Sequence, residues 1–233
     1  MLLSCSHKFL FVHVPKKAGA ATQRMLEPYC NMPPRTLWGS IKRRLPIREA
    51  PDQAHFRIHE TARKLRAKLG PKLYGQFLSF AACRNPFDHA VSHFEYMKQY
   101  RSKKIAQAFE SESFIGYLEM RVRPRKPWQR VFVNLPDQSY YVLDRAGRIM
   151  VDRIIRFETL HEDLRQLQQD LALRPEPLPE FNITKARIQR NAKLSDYYGP
   201  QEIALVQKIY RRDFEVFGYS TDLADAMQPV QQP

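Results

Sequence analysis

The first clear feature of the hydrophobic pattern is KFLFVHV, residues 8–14. It is a short apolar run, rich in aromatic and β-branched side chains, and Pro15 stops it. Such a run predicts a strand buried on both faces. FLSFAAC at 77–83 repeats the pattern and predicts a second buried strand. Between them the period lengthens. Residues 20–30 are alanine-rich and predict a helix with Met25 and Leu26 facing the core. HETARKLRAKLG at 59–70 puts Ala62, Leu65 and Leu69 on one side of a helix that Gly70 and Pro71 end. Residues 31–52 break all periodicity, with four prolines and five Lys or Arg around Leu37, Trp38 and Ile41. They predict a variable, mobile excursion from the core.

Beyond the second strand, Phe87, Val91, Phe94 and Met97 have helical spacing, and Pro86 suits the first turn of their helix. Residues 101–137 are mixed, with a helical piece near SFIGYLEM and a basic, proline-containing stretch, RVRPRKPWQR. QSYYVLDRAGRIMVDRIIRFE at 138–158 predicts two strands around a turn at Ala146-Gly147. Leu160, Leu164, Leu167 and Leu171 then mark a helix, and Thr159 with Glu162 fits a capping box. A last helix is predicted over 200–218, with Pro200 near its start and Gly218 just past its end. Strands alternating with helices predict a parallel α/β core, in which ligands bind at the carboxyl ends of strands.

Composition narrows the class. The 233 residues suit a single α/β domain spanning 1–233, and 43% apolar content excludes global disorder. The net charge of +14 points to an anionic partner without choosing among nucleotide, nucleic acid, acidic glycan and membrane surface. Cys5, Cys30 and Cys83 are widely spaced and odd in number, so they read as reduced structural thiols. No metal site and no disulfide framework is expected. The N-terminal residues lack the pattern of a secretory signal, and no apolar run approaches the roughly 20 residues of a membrane span. The expectation is a soluble, cytoplasmic protein with peripheral membrane contact as an open possibility.

Both predicted strands run into candidate phosphate sites. After the first comes PKKAG and a helix. Backbone N–H groups at a helix start attract an anion, and a lysine adds full charge. The glycine follows the lysines and no Ser or Thr stands next to them, so this is not the loop of ordinary nucleotide triphosphatases. The plainer alternative is a surface loop with solvated lysines. After the second strand comes ACRNPFDHAVS. Arg84 stands where the strand ends, and Ser92 lies eight residues on, within the helix. Arg84 can grip a phosphate in bidentate fashion and Ser92 can add a hydroxyl. The plainer alternative is an Arg84–Asp88 pair closing the corner.

Together these two segments resemble those of a known family. FVHVPKKAGAAT is similar to the FxHxPKTAGTS loop of the carbohydrate-type sulfotransferases that use 3′-phosphoadenosine 5′-phosphosulfate, and ACRNPFDHAVSHF to their VRNPxDRxVSxY motif. HETARKLRAKLG resembles the His-Ala-Thr-Ala helix of bacterial members. Residues 136–164 resemble the QSxYL…G…VDxIxRFExLxxD segment, and LPEFNITKA and IYRRDFEVFGY also match. The resemblance runs from about residue 8 to 219, leaving 31–52 and 101–130 without counterpart. It places the chain near family 2, with bacterial-type members and the heparan sulfate 2-O-sulfotransferases.

The resemblance implies a P-loop-like parallel sheet flanked by helices, and transfer of a sulfuryl group to a hydroxyl. By it, Pro15, Lys16, Lys17, Ala18, Gly19, Ala20, Ala21 and Thr22 would bind the 5′-phosphosulfate, with Lys16 stabilising the leaving group. Arg84 and Ser92 would bind the 3′-phosphate. Three departures stand out: Lys17 replaces the usual Thr, Ala20-Ala21 replace Thr-Ser, and His89 replaces Arg. Each lost hydrogen bond to a charged group is worth roughly 1.5–3 kcal/mol. An acceptor hydroxyl needs a base, and histidine suits neutral pH. His59, matching the bacterial histidine, is the expected base, with His55 as the alternative and Glu60 as a group that could orient it. His13 is expected to be buried in its strand, and His93 and His161 to lie on helix surfaces. Lys185 and Arg187, in the basic stretch 181–193, are expected to close over the nucleotide.

The expected acceptor is a hydroxylated, anionic glycan or glycolipid, and no nucleic acid is expected. Two rivals remain: a non-catalytic nucleotide- or glycan-binding relative, and a basic nucleic-acid-binding protein drawing on RVRPRKPWQR.

Overall fold

The computed structural model describes residues 1–15, 19–31, 33, 36–45, 47–100, 102–124, 127, 129, 136–174 and 193–227, with backbone alone at 19–21 and 104. The chain divides into two compact units. The first comprises Met1–Cys83 and Gln138–Phe181, the second Arg84–Asp137 and Asn182–Pro233.

The first unit carries the sheet. Its strands are β1 (Leu2–Ser4), β2 (Phe9–Val12), β3 (Leu78–Cys83) and β4 (Arg153–Arg156). They lie in the order β1-β2-β3-β4. β2, β3 and β4 are parallel: Phe9 pairs with Leu78, Val12 with Ala81 and Cys83 with Arg156. The two predicted buried strands are thus neighbours, and every residue of β2 is buried, as a strand covered on both faces should be. β1 was not predicted. It is three residues long, too short to show a period, and pairs antiparallel with β2 through Leu2 opposite Phe11.

Helices flank this sheet. α1 (Gly19–Leu26) follows β2, and α2 (Leu37–Lys42) lies in the predicted excursion. α3 (Ala62–Leu69) and α4 (Pro71–Tyr74) precede β3. Met25 and Leu26 enter one core with Phe9, Phe11, Phe80 and Leu164. Ala62, Leu65 and Leu69 are buried, as their spacing predicts.

The described part of 31–52 is held to α3 by one buried lysine. Lys68 Nζ donates to the carbonyls of Lys42 (3.0 Å) and His55 (2.6 Å). Glu49 adds to this, lying 3.5 Å from Lys42 and accepting from the His55 backbone N–H at 3.0 Å. Buried charge therefore ties the described part of this lobe to α3, a contact that an apolar pattern cannot reveal.

The hairpin predicted over 138–158 is reduced to one antiparallel bridge, Leu143 with Ile149. The turn stands where expected. Asp144 accepts from the N–H groups of Ala146 (2.8 Å) and Arg148 (2.9 Å), and Gly147 adopts φ 81°. The second arm leaves at once, because Asp152 accepts from the N–H (2.7 Å) and hydroxyl (2.6 Å) of Ser79 and delivers β4 to β3. In the helix that follows, α8 (Leu160–Asp170), the predicted capping box does not form. Thr159 sits at φ −112°, ψ 22° rather than in the extended conformation of a cap. Its hydroxyl donates instead to Asp163 at 3.0 Å.

The second unit is helical. α5 (Pro86–Lys98), α6 (Lys103–Glu110) and α7 (Phe114–Val122) are followed later in the chain by α9 (Pro200–Ile209), α10 (Arg211–Phe217) and α11 (Leu223–Met227). Phe87, Phe94, Tyr117, Val206 and Phe214 pack around Tyr210. The single helix predicted over 200–218 breaks at Tyr210, whose φ −108° and ψ 19° leave the helical region. The buried Tyr210 hydroxyl accepts from Arg121 at 2.9 Å. Gly218 ends α10 at φ 64°, where a side chain would be strained. His93 is not on a helix surface. It is buried, with Nδ1 2.7 Å from the Tyr117 hydroxyl. His161 is exposed, as predicted.

Candidate functional site at the carboxyl end of the sheet

In the first unit, β2 delivers its carboxyl end to His13, Val14 and Pro15. Lys16, Lys17 and Ala18 lie outside the described residues, as do Lys185 and Arg187. The chain re-enters at Gly19, where α1 begins, so Gly19, Ala20 and Ala21 supply the backbone of its first turn. The leading N–H groups of a helix have no intrahelical partner and carry its positive end. That turn contains no acidic residue to compete for them. Thr22 is fully buried, and its hydroxyl has no hydrogen-bond partner among the described residues. A buried unsatisfied hydroxyl is costly, so its presence beside this loop is a feature to explain.

His59 is exposed and lies in the turn before α3. It does not open that helix. Thr61 caps it, accepting from Lys64 N–H at 3.3 Å, because a hydroxyl binds the exposed N–H groups there as an imidazole does not. His59 instead reaches the end of β2. Its Nδ1 stands 3.1 Å from the backbone carbonyl of His13, and the two rings meet edge to face with centroids 4.6 Å apart. A carbonyl oxygen can only accept, so Nδ1 carries the hydrogen. In the neutral ring the lone pair is then on Nε2, the form a general base needs.

His13 is largely buried beyond the strand, and burial is the main cause that pushes its pKa down to about 3. It therefore stays neutral beside His59 across the working pH range. Glu60 is buried and pairs with Lys64 at 3.5 Å. The contact that sets the His59 tautomer is the His13 carbonyl, a role that sequence reading could not assign because every residue has a carbonyl. The alternative base, His55, is held by Glu49 at 3.2 Å and packs against Gly39, beside a cavity of about 450 Å³.

In the second unit, Arg84 is the residue immediately after β3. Asn85 caps α5, accepting from Phe87 N–H at 3.0 Å. Arg84 is buried and pairs through Nε with Asp88, the first-turn carboxylate of α5. The corner-closing pair raised as the plainer alternative is therefore present. It fixes one of five guanidinium N–H donors and sets the plane of the fork. Ser92 is buried one helical turn beyond Asp88, on the same side of α5. His89 is buried, its ring edge-on to Tyr210 at 5.3 Å.

Comparison with protein-family models matches residues 1–220 to the sulfotransferase family. The chain belongs to the sulfotransferase family. No curated protein and no solved structure matches it. Membership supports sulfuryl transfer as the activity of this sulfotransferase, and the mostly parallel sheet flanked by helices is the fold expected of it. Among the described residues no cluster of three or more His, Cys, Asp or Glu side chains is arranged to hold a metal, and no helix is long and apolar enough to cross a membrane.

Proposed function

We propose that this sulfotransferase moves the sulfuryl group of 3′-phosphoadenosine 5′-phosphosulfate in line to a hydroxyl of a saccharide or glycolipid, with His59 as general base. The observation that carries the proposal is the His59–His13 contact. It puts an imidazole with its lone pair on Nε2 against the end of the strand that leads into PKKAG.

The residues then divide the work. Nε2 of His59 accepts the proton of the acceptor hydroxyl as the new S–O bond forms and the bond from sulfur to the bridging oxygen breaks. Lys16 meets the charge that develops on that oxygen, and the first-turn N–H groups of α1 hold the 5′-phosphate. Lys17 supplies charge where the family's hydroxyls are missing, and the Thr22 hydroxyl is a further donor in the first turn of α1. Arg84, oriented by Asp88, and Ser92 bind the 3′-phosphate. The +14 net charge supports an anionic acceptor.

The test follows release of adenosine 3′,5′-bisphosphate from the donor across a panel of neutral and acidic saccharides and glycolipids. Turnover should need an added acceptor, favour acidic ones, and fall by roughly 10²–10⁴ in His59→Gln. Tight nucleotide binding with no turnover on any acceptor would establish the non-catalytic rival instead.

A further inference from the structure

The α2 segment carries an exposed surface to which the proposed reaction assigns no residue. Gly39 is buried, and a Cβ there would lie 2.5 Å from the His55 ring. α2 thus packs on its smallest residue and turns its largest outward. Leu37 is 89% exposed, Trp38 60% and Ile41 48%. Leu45 and Ile47 continue the apolar surface past the helix. Arg43, Arg44 and Arg48 are exposed within the same dozen residues. No acidic residue occurs from Asn31 to Arg48, and the first that does, Glu49, is engaged by Lys42 and His55.

We infer that this surface docks on an anionic lipid bilayer. The argument is charge complementarity joined to shape. Bulky apolar side chains and a tryptophan, exposed in a segment whose exposed charges are all positive, suit the boundary between acyl chains and headgroups. A second copy of the chain would bring the same unrelieved positive charge against it. A nucleic acid would meet the arginines but leave Leu37 and Ile41 uncovered. An anionic bilayer satisfies both features. Binding of this kind needs no donor nucleotide and does not depend on the proposed reaction.

The experiment is co-sedimentation of the full chain with vesicles of phosphatidylcholine alone or mixed with phosphatidylglycerol. The protein should bind the mixed vesicles and not the neutral ones. Trp38→Ser should weaken binding about tenfold, the cost of not burying a large apolar side chain. Arg43→Gln and Arg44→Gln should each weaken it about fivefold. These residues are exposed, so unchanged thermal unfolding should accompany the losses. In a Trp128→Phe background, Trp38 emission should shift to the blue on mixed vesicles only. Equal partition of wild type and Trp38→Ser, or an unshifted Trp38, would overturn the inference. So would concentration-dependent self-association that Trp38→Ser abolishes in a protein that ignores vesicles.

Discussion

Replacing His13 by phenylalanine should change how the first unit responds to acid. Burial lowers the His13 pKa from 6.5 to about 3. The unfolded chain takes up that proton near pH 6.5, while the native protein resists until about pH 3. The native state therefore loses stability as the pH falls through this window. Between pH 8 and pH 5 the wild-type loss is about 2 kcal/mol, from roughly 1.5 pH units at about 1.36 kcal/mol each. Phenylalanine keeps the stack on Phe11, where the rings lie 5.8 Å apart, and keeps the backbone carbonyl that His59 needs. It also removes a buried ring nitrogen with no hydrogen-bond partner, a gain that does not vary with pH above 7. Asp137 works in the opposite sense. Burial raises its pKa to about 6, so the stability it allows is full below 3.8 and is lost as the pH rises through 6. Asp137 is present in both proteins and cancels in the difference. Urea unfolding of the pair from pH 5 to 8, read on the transition of the first unit, gives the answer. The advantage of the variant should grow by about 2 kcal/mol at the acid end. A difference that stays constant with pH would refute the buried, neutral His13.

Three further outcomes test the packing that places the site. Lys68→Met leaves the carbonyls of Lys42 and His55 without their charged donor, and should cost about 2 kcal/mol in thermal unfolding and speed proteolysis within residues 37–55. Unchanged cleavage would mean that Lys68 does not hold this lobe. Gly39→Ala drives a methyl into the His55 ring and should cost about 1–3 kcal/mol, so a neutral melting temperature would contradict the contact. Tyr117→Phe removes the buried bond to His93 and should cost about 1 kcal/mol, measured by denaturant titration of the second unit.

Apolar runs revealed the strands that matter. KFLFVHV and FLSFAAC became adjacent parallel strands because buried strands have few other readings, and the leucines of α8 fell on one face as their spacing required. Local rules failed where tertiary partners outbid them. The Thr159 hydroxyl turned to Asp163, Tyr210 broke a helix to sit in a core, and Lys68 tied to α3 a segment that reads as loop. At the site, Arg84 and Ser92 were visible as residue types. The Arg84–Asp88 pair was visible only as an alternative, because sequence gives spacing and not orientation. The His59–His13 contact was invisible, since a backbone carbonyl leaves no mark in a sequence.

The central claim is a donor site that distinguishes the 3′-phosphate of its nucleotide. Its most direct test is thermal unfolding with adenosine 3′,5′-bisphosphate against adenosine 5′-monophosphate, in wild type and in Arg84→Gln. At about 100 times its dissociation constant the bisphosphate should add roughly 2.7 kcal/mol to the wild type. The monophosphate at the same concentration should add far less, and Arg84→Gln should erase the difference whatever its own baseline stability. Equal stabilisation by both nucleotides, or a preference that survives Arg84→Gln, would contradict the account.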